Sequence, residues 1–339
     1  MLFKIWLKKV VRIFIIFCLT CIVIGLVLFG VGRPQKQIIW GLTFSSIRAE
    51  ELGYDPQALF VTILNDLHPK KVRIPAYWSE IEPQQGQFNF SKIESLLTET
   101  DKRGTEVIVV LGKKQPRWPE CHQPDWFNSL QPNEQNSAIL SMLETSVTQL
   151  KHHQSITAWQ IENEQFFEYG PNCPETDSKL YKQELNTVAQ LDSRPLITTD
   201  SGEKGFWIKS AWSRAEILGS TMYREVYHDK KGKYITYELP WWTYNLKAGF
   251  IKLFTNTDEV IGVELQAEPW LIIANPKATS PEEQLTHMNP DVFKNNIAYA
   301  TKVGFPENYL WGVEWWYWMA REHNDSSMLN EAKTFFNKQ

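Results

Sequence analysis

Glu106-Val107-Ile108-Val109-Val110-Leu111, then residues 136–150, then Ala158-Trp159-Gln160-Ile161-Glu162: a short β-type run, a longer stretch and a second β-type run. The stretch between them repeats Ile139, Leu140, Leu143, Val147 and Leu150 at helical spacing, which puts an apolar stripe on one helix face. A strand–helix–strand unit of this kind joins parallel strands. The alternation continues outward in both directions. Upstream lie β-type runs at 38–44 and 71–75, and downstream at 195–199, 217–223, 260–265 and 309–314. Helix-like segments fill several gaps: 93–103 closing on Gly104, 289–304 opening on Asn289-Pro290, and 327–336. Eight short strands alternating with helices over about 300 residues predict an α/β fold of the (β/α)8 barrel type. A doubly wound sheet would carry GxGxxG or GxxxxGK[ST] after its first strand, and neither is present. Residues 227–257, with Tyr234, Tyr237, Trp241, Trp242 and Tyr244, form an aromatic insertion after the sixth strand.

The 339 residues are 43% hydrophobic and 22% charged, which excludes disordered and low-complexity classes. The net charge of −4 gives no broad electrostatic reason to bind nucleic acid. Fifteen Trp, with 18 Phe and 12 Tyr, suit either a large core or flat surfaces on which sugar C–H faces stack; composition alone does not choose.

Residues 13–32 form an uncharged run about 30 Å long as a helix, matching a bilayer's hydrocarbon core. Lys4, Lys8, Lys9 and Arg12 precede it, against Arg33 and Lys36 behind, so the N-terminus is expected in the cytoplasm and the rest outside. A cleaved signal peptide has a shorter apolar region, about 7–15 residues, and a small-residue cleavage site. The expected organisation is therefore a basic cytoplasmic segment (1–12), a single-pass signal anchor (13–32), a linker (33–37) and an extracytoplasmic barrel (38–339). Cys18 and Cys21 lie in the anchor, leaving Cys121 and Cys173 for the exported part.

In such a barrel the active site lies at the C-terminal strand ends. The fourth strand ends in Trp159-Gln160-Ile161-Glu162-Asn163-Glu164, the seventh in Gly262-Val263-Glu264-Leu265-Gln266-Ala267-Glu268-Pro269-Trp270. These strands face each other across the barrel mouth, so a glutamate from each would flank a bond held over the axis. That arrangement serves glycoside cleavage, one carboxyl protonating the leaving oxygen and one attacking the anomeric carbon; for retention they sit about 5–5.5 Å apart.

The segment Trp78-Ser79-Glu80-Ile81-Glu82-Pro83-Gln84-Gln85-Gly86-Gln87-Phe88-Asn89-Phe90 and the strand-four Trp-Gln-Ile-Glu-Asn-Glu resemble motifs of the clan A glycoside hydrolases, retaining (β/α)8 enzymes that include cellulases, xylanases, mannanases and family 42 β-galactosidases. The resemblance covers about residues 38–338. It implies that Glu164 is the acid/base, that Asn163 holds the sugar 2-hydroxyl, and that Glu264 is the nucleophile. It further implies that Arg73 orients the nucleophile, that Tyr223 contacts it, and that Trp315 floors the cleavage subsite, with Trp316 and Trp318 as rivals. Glu268, four residues after Glu264, stays open as an alternative nucleophile. The extra C-terminal domains of family 42 are not expected from these residues, so that family's substrate is not carried over.

Glu162 reads as a structural carboxylate, Glu80 and Glu82 as local turn contacts, and Asp200 as a turn former or ligand contact. Cys121 follows strand three and Cys173 follows strand four, so their loops are neighbours and a disulfide between them is expected. Two carboxylates supply both nucleophile and proton traffic, so no cofactor and no metal is expected. The expected partners are an oligo- or polysaccharide and the membrane. A sugar-binding barrel without turnover and a transglycosylase using the same intermediate are the alternatives.

Overall fold

A computed structural model of the chain describes residues 2–213 and 215–339. The side chains of residues 2–5 and 8 lie outside that description, and with them the basic residues Lys4 and Lys8. Eight parallel strands close into a barrel: β1 (Ile39–Thr43), β2 (Lys71–Pro75), β3 (Glu106–Leu111), β4 (Ile156–Ile161), β5 (Leu196–Asp200), β6 (Ile217–Met222), β7 (Glu259–Gln266) and β8 (Glu307–Trp311). Each pairs with its neighbours in sequence, and β1 pairs with β8 to complete the ring. This is the (β/α)8 fold that the alternation of runs implies. The insertion between β6 and β7 holds an antiparallel hairpin, Glu225–His228 with Lys233–Thr236, and a helix.

Three helices bear on function: α1 (Leu2–Val31), α2 (Trp242–Phe254, the insertion's helix) and α3 (Val313–Glu322). Within α1, Lys9–Val31 is long and apolar enough to cross a membrane, and none of it is buried in the protein.

Side chains of alternate parity divide the core. Ile108, Ala158, Ile197, Ile261, Val263 and Tyr309 pack together inside the barrel, while Val107, Val109, Val260 and Leu265 face the helices. In β7 this parity breaks. Gly262 pairs with Ser220, but Glu264 pairs with Thr221, so one extra residue is inserted at Val263. The same shift recurs against β8. Such a bulge re-aims the following side chains. It lets Glu264 face inward although Val263 before it also does.

Glycine is required where loops press on these ends. A Cβ on Gly112 (φ 136°) would lie 2.8 Å from the Glu162 carboxyl carbon, and one on Gly312 (φ 109°) 2.3 Å from Cβ of Glu268. Gly312 also ends β8 at Trp311 and starts α3, three residues before the end that the apolar run 309–314 suggests.

Cys121 and Cys173 form a disulfide with Cα atoms 5.4 Å apart, closing a loop between residues 52 apart. Replacing both by Ala is expected to cost about 2–4 kcal/mol, read as a lower urea midpoint relative to the oxidised chain. An unchanged midpoint would mean that the loops are held by other contacts.

Candidate active site

A cavity of about 830 Å³ opens at the C-terminal strand ends, and Glu164, Tyr223, Glu264, Glu268, Arg117 and Trp311 are among its walls. Glu164, Glu264 and the alternative nucleophile Glu268 therefore all face one space.

Glu264 is held from two sides. Arg73, fully buried on β2, donates from Nη1 to Oε1 at 3.0 Å, and the Tyr223 hydroxyl donates to Oε2 at 3.0 Å. The guanidinium also donates to Gln160 Oε1 (2.8 Å) and Asn163 Oδ1 (2.8 Å). One cation thus ties β2, β4 and β7 together beneath the cavity floor. Burial and the Glu264 charge push the Tyr223 hydroxyl well above its ordinary range, so it remains a donor. Removing one partner of a buried ion pair leaves the other uncompensated. Arg73→Met is accordingly expected to destabilise the chain by about 3–5 kcal/mol in urea unfolding at pH 7; native stability in that variant would mean that Glu264 needs no counter-charge.

Glu164 has the opposite surroundings. It follows β4 with φ 43°, and its backbone N–H donates to Thr199 Oγ1 on β5 at 2.7 Å. The charges that act most strongly on its carboxyl are all negative. Burial first, then the charges of Glu264, Glu120 and Glu203, push that carboxyl well above the usual carboxylate range. Asn163 beside it receives hydrogen bonds at Oδ1 from Arg73, from Gln160 Nε2 (3.1 Å) and from Thr199 Oγ1 (3.4 Å). Asn163 is itself buried and is not among the residues that line the cavity.

Glu268 also reaches the cavity but is engaged elsewhere. It accepts from Arg117 and lies 3.7 Å from Arg48 Nη2. Burial pushes its carboxyl up, yet the two arginines outweigh burial and hold it below the usual range. Arg117 also stacks over Trp311 at 4.1 Å and lies 3.6 Å from Glu314 of α3. Burial raises the Glu314 carboxyl to about 7.

The smaller expectations resolve plainly. Glu162 accepts from the backbone N–H groups of Lys113 (2.9 Å) and Lys114 (2.6 Å), a structural role. Glu82 accepts from Trp78 Nε1 (2.7 Å) and Gly86 N (2.8 Å), so the strand-two motif knits its own turn. Asp200 accepts from Ser210 Oγ at 2.9 Å. Trp315 and Trp316 stand apart from the cavity: both are fully buried in α3, donating to Gln284 Oε1 and the Ala267 carbonyl (2.7 Å each). Trp318 is buried on the same helix. The strand-eight tryptophan in the wall is Trp311, because Gly312 turns the chain away before Trp315 is reached.

Further groups line the cavity without having been singled out: Glu120, Glu203, Arg48 and Arg117. Burial, then the Glu264 charge, raises the Glu120 carboxyl to about 8. Glu203 accepts from Thr221 Oγ1 (2.8 Å) and the Tyr223 backbone. Ring contacts link Trp118, Tyr169, Trp270 and Tyr223 in series, at 5.9, 5.9 and 5.2 Å, so an aromatic arc runs from the exposed rim to the tyrosine that holds Glu264. No cluster of three or more His, Cys, Asp or Glu suited to a metal ion occurs among the described residues.

No protein-family model matches the sequence, and no curated protein matches it. Solved structures do resemble it. A β-galactosidase from the psychrophilic Marinomonas ef1 is 12% identical, with a TM-score of 0.61, over 89% of this chain and 59% of that one. An endo-β-1,4-xylanase of glycoside hydrolase family 10 from Gloeophyllum trabeum is 15% identical, with a TM-score of 0.54, over 82% and 85%. Xylanase 10B from Thermotoga petrophila RKU-1, in complex with xylobiose, is 14% identical, with a TM-score of 0.53, over 81% and 82%. At these identities the likeness is one of fold alone, a closed (β/α)8 barrel.

Proposed function

We propose that the chain is a membrane-anchored glycosidase that cleaves β-glycosidic bonds with retention, acting outside the cytoplasm. One observation carries the reading: Glu264 and Glu164 face a single cavity, the first clamped by a cation and a phenol, the second with its carboxyl pushed well above the usual range by burial and by the Glu264 charge. A pair whose surroundings differ in this way divides the roles of nucleophile and acid. The fold shared with glycosidases supports it.

The substrate's sugar ring stacks against the aromatic arc. Glu164 gives its proton to the glycosidic oxygen as a Glu264 oxygen attacks the anomeric carbon, so the leaving sugar departs as an alcohol and a glycosyl ester forms. Esterified Glu264 is neutral, which removes the largest single charge acting on Glu164. The Glu164 carboxylate then takes a proton from water, whose oxygen attacks the same carbon and frees Glu264. Arg73 and Tyr223 stabilise Glu264 whenever it carries charge.

The anchor reading rests on α1, with the cytoplasmic N-terminus following from the positive charges before it. Residues 1–12, 13–32, 33–37 and 38–339 keep the roles given above. Full-length chain in detergent, screened on chromogenic β-glycosides and polysaccharides with the first-formed anomer followed by NMR, should give product of retained configuration. An inverted product would reject the ester. Binding without turnover would favour the non-catalytic barrel, and sugar transfer in preference to hydrolysis the transglycosylase.

A further inference from the structure

The apolar N-terminal helix does not leave the barrel as a free stalk. Its last turns lie against α2. A Cβ on Gly249 would meet the Leu28 carbonyl oxygen at 1.8 Å, and one on Gly32 would meet the Asn245 carbonyl oxygen at 1.9 Å, so the two backbones touch where only glycine fits. Asn245 Nδ2 donates to the Gly32 carbonyl (2.8 Å) and to that of Val303 (2.8 Å), fixing the junction to the barrel. Phe29 meets Trp241 at 6.0 Å.

These contacts give a direction. Moving back along α1 from Gly32 to Leu28 corresponds to moving forward along α2 from Asn245 to Gly249, so the helices run antiparallel. At 1.5 Å per residue, Phe250, Leu253 and Phe254 then lie beside the α1 turns before Leu28, roughly 10 Å inside the end of the apolar run. Lys252 in the last turn apart, the chemistry of α2 fits that depth. WTYNLKAGFIKLF contains no acid, Lys247 is turned onto the carbonyls of Gly202 (2.7 Å) and Gly205 (2.9 Å), and Lys252 is half-buried. Leu253 is 45% exposed and Phe254 61%, two large apolar side chains at the end of the helix that packs on α1.

Resting on the reading of α1 as a membrane span, we propose that the C-terminal half of α2 is itself embedded in the lipid beside α1. The barrel is then seated on the bilayer in one orientation by a spanning helix and a half-inserted one, its occupant being the acyl region of the outer leaflet.

The test uses full-length chain with Cys18→Ser, Cys21→Ser and Phe254→Cys, labelled at residue 254 with an environment-sensitive fluorophore and reconstituted in phosphatidylcholine vesicles. A parallel chain carries the label at Lys102→Cys, on an exposed helix face of the barrel. Lipids bearing a quencher on the acyl chain are expected to quench the 254 label several-fold more than the 102 label, with a blue-shifted emission. Chain that floats with vesicles while its 254 label stays as unquenched as the 102 label overturns the proposal and leaves the anchor standing. Chain that does not float overturns both. An unquenched 254 label whose emission shifts with protein concentration would give the surface to a second copy instead, again against the proposal.

Discussion

Glu164→Gln is expected to lower turnover of a β-glycoside with an unactivated leaving sugar roughly 10²- to 10⁴-fold, with little change in substrate binding. Gln fills the same volume and cannot donate a carboxylic proton. An aryl glycoside with an acidic phenol leaves without protonation, so ester formation from it should survive far better and the ester should accumulate. The pH profile supplies a second signature. The acid acts only while protonated, and Glu164 stays protonated above the usual carboxylate range because of its burial and the nearby Glu264 charge. Turnover should therefore fall as pH rises through that raised value, and this alkaline limb should vanish in the variant. Both are read by steady-state kinetics from acid to mildly alkaline pH. A variant that turns over an unactivated substrate at the native rate removes Glu164 from the reaction.

What was legible in the sequence followed from periodicity. The eight β-type runs map onto the eight strands because each is short, apolar and punctuated by polar or glycine residues. The run at 309–314 is the informative failure. Its apolar character continues through Val313 and Trp315 into α3, so hydrophobicity cannot mark where the strand stops. The marker is Gly312 at φ 109°, a conformation open to glycine and strained for other residues. Missing that turn moves attention from Trp311, in the cavity wall, to Trp315 and Trp316, in the core.

Loop residues in the site are hard to read for another reason. Arg117 (φ 106°), Glu120 (φ 75°) and Glu164 (φ 43°) all have backbone conformations that non-glycine residues seldom adopt. Such strain is retained where surrounding contacts over-determine it, and it aims side chains where a regular strand or helix would not. No periodicity encodes it. Glu164 was found because a motif names it; Arg117 and Glu120 lack one, although they lie equally at the cavity.

Glu264→Ala should be the more damaging of the two carboxylate changes, on the order of 10⁴-fold or more in turnover, because without a nucleophile no ester forms on any substrate, activated or not. The rival, Glu268, has the same access to the cavity, so position alone does not separate them. Their partners do. Glu264 is bound by one guanidinium N–H and one phenol, contacts that aim the carboxylate while leaving lone pairs free for attack. Glu268 is gripped by two arginines that keep it ionised, while one of them packs on Trp311; attack from it would break that cluster. A slow substrate, a 2-deoxy-2-fluoro glycoside with a good leaving group, should stall as an ester, and peptide mass mapping should find the added sugar on Glu264. Glu268→Gln should still form that ester while losing stability, by less than the roughly 3–5 kcal/mol of a fully orphaned buried charge, since Arg48 keeps Glu51 and Arg117 keeps Glu314 beside it. A sugar found on Glu268 would reverse the roles: the bulge at Val263 would then serve to seat Glu264 as the structural partner of Arg73, and the reacting carbon would have to lie nearer Trp311.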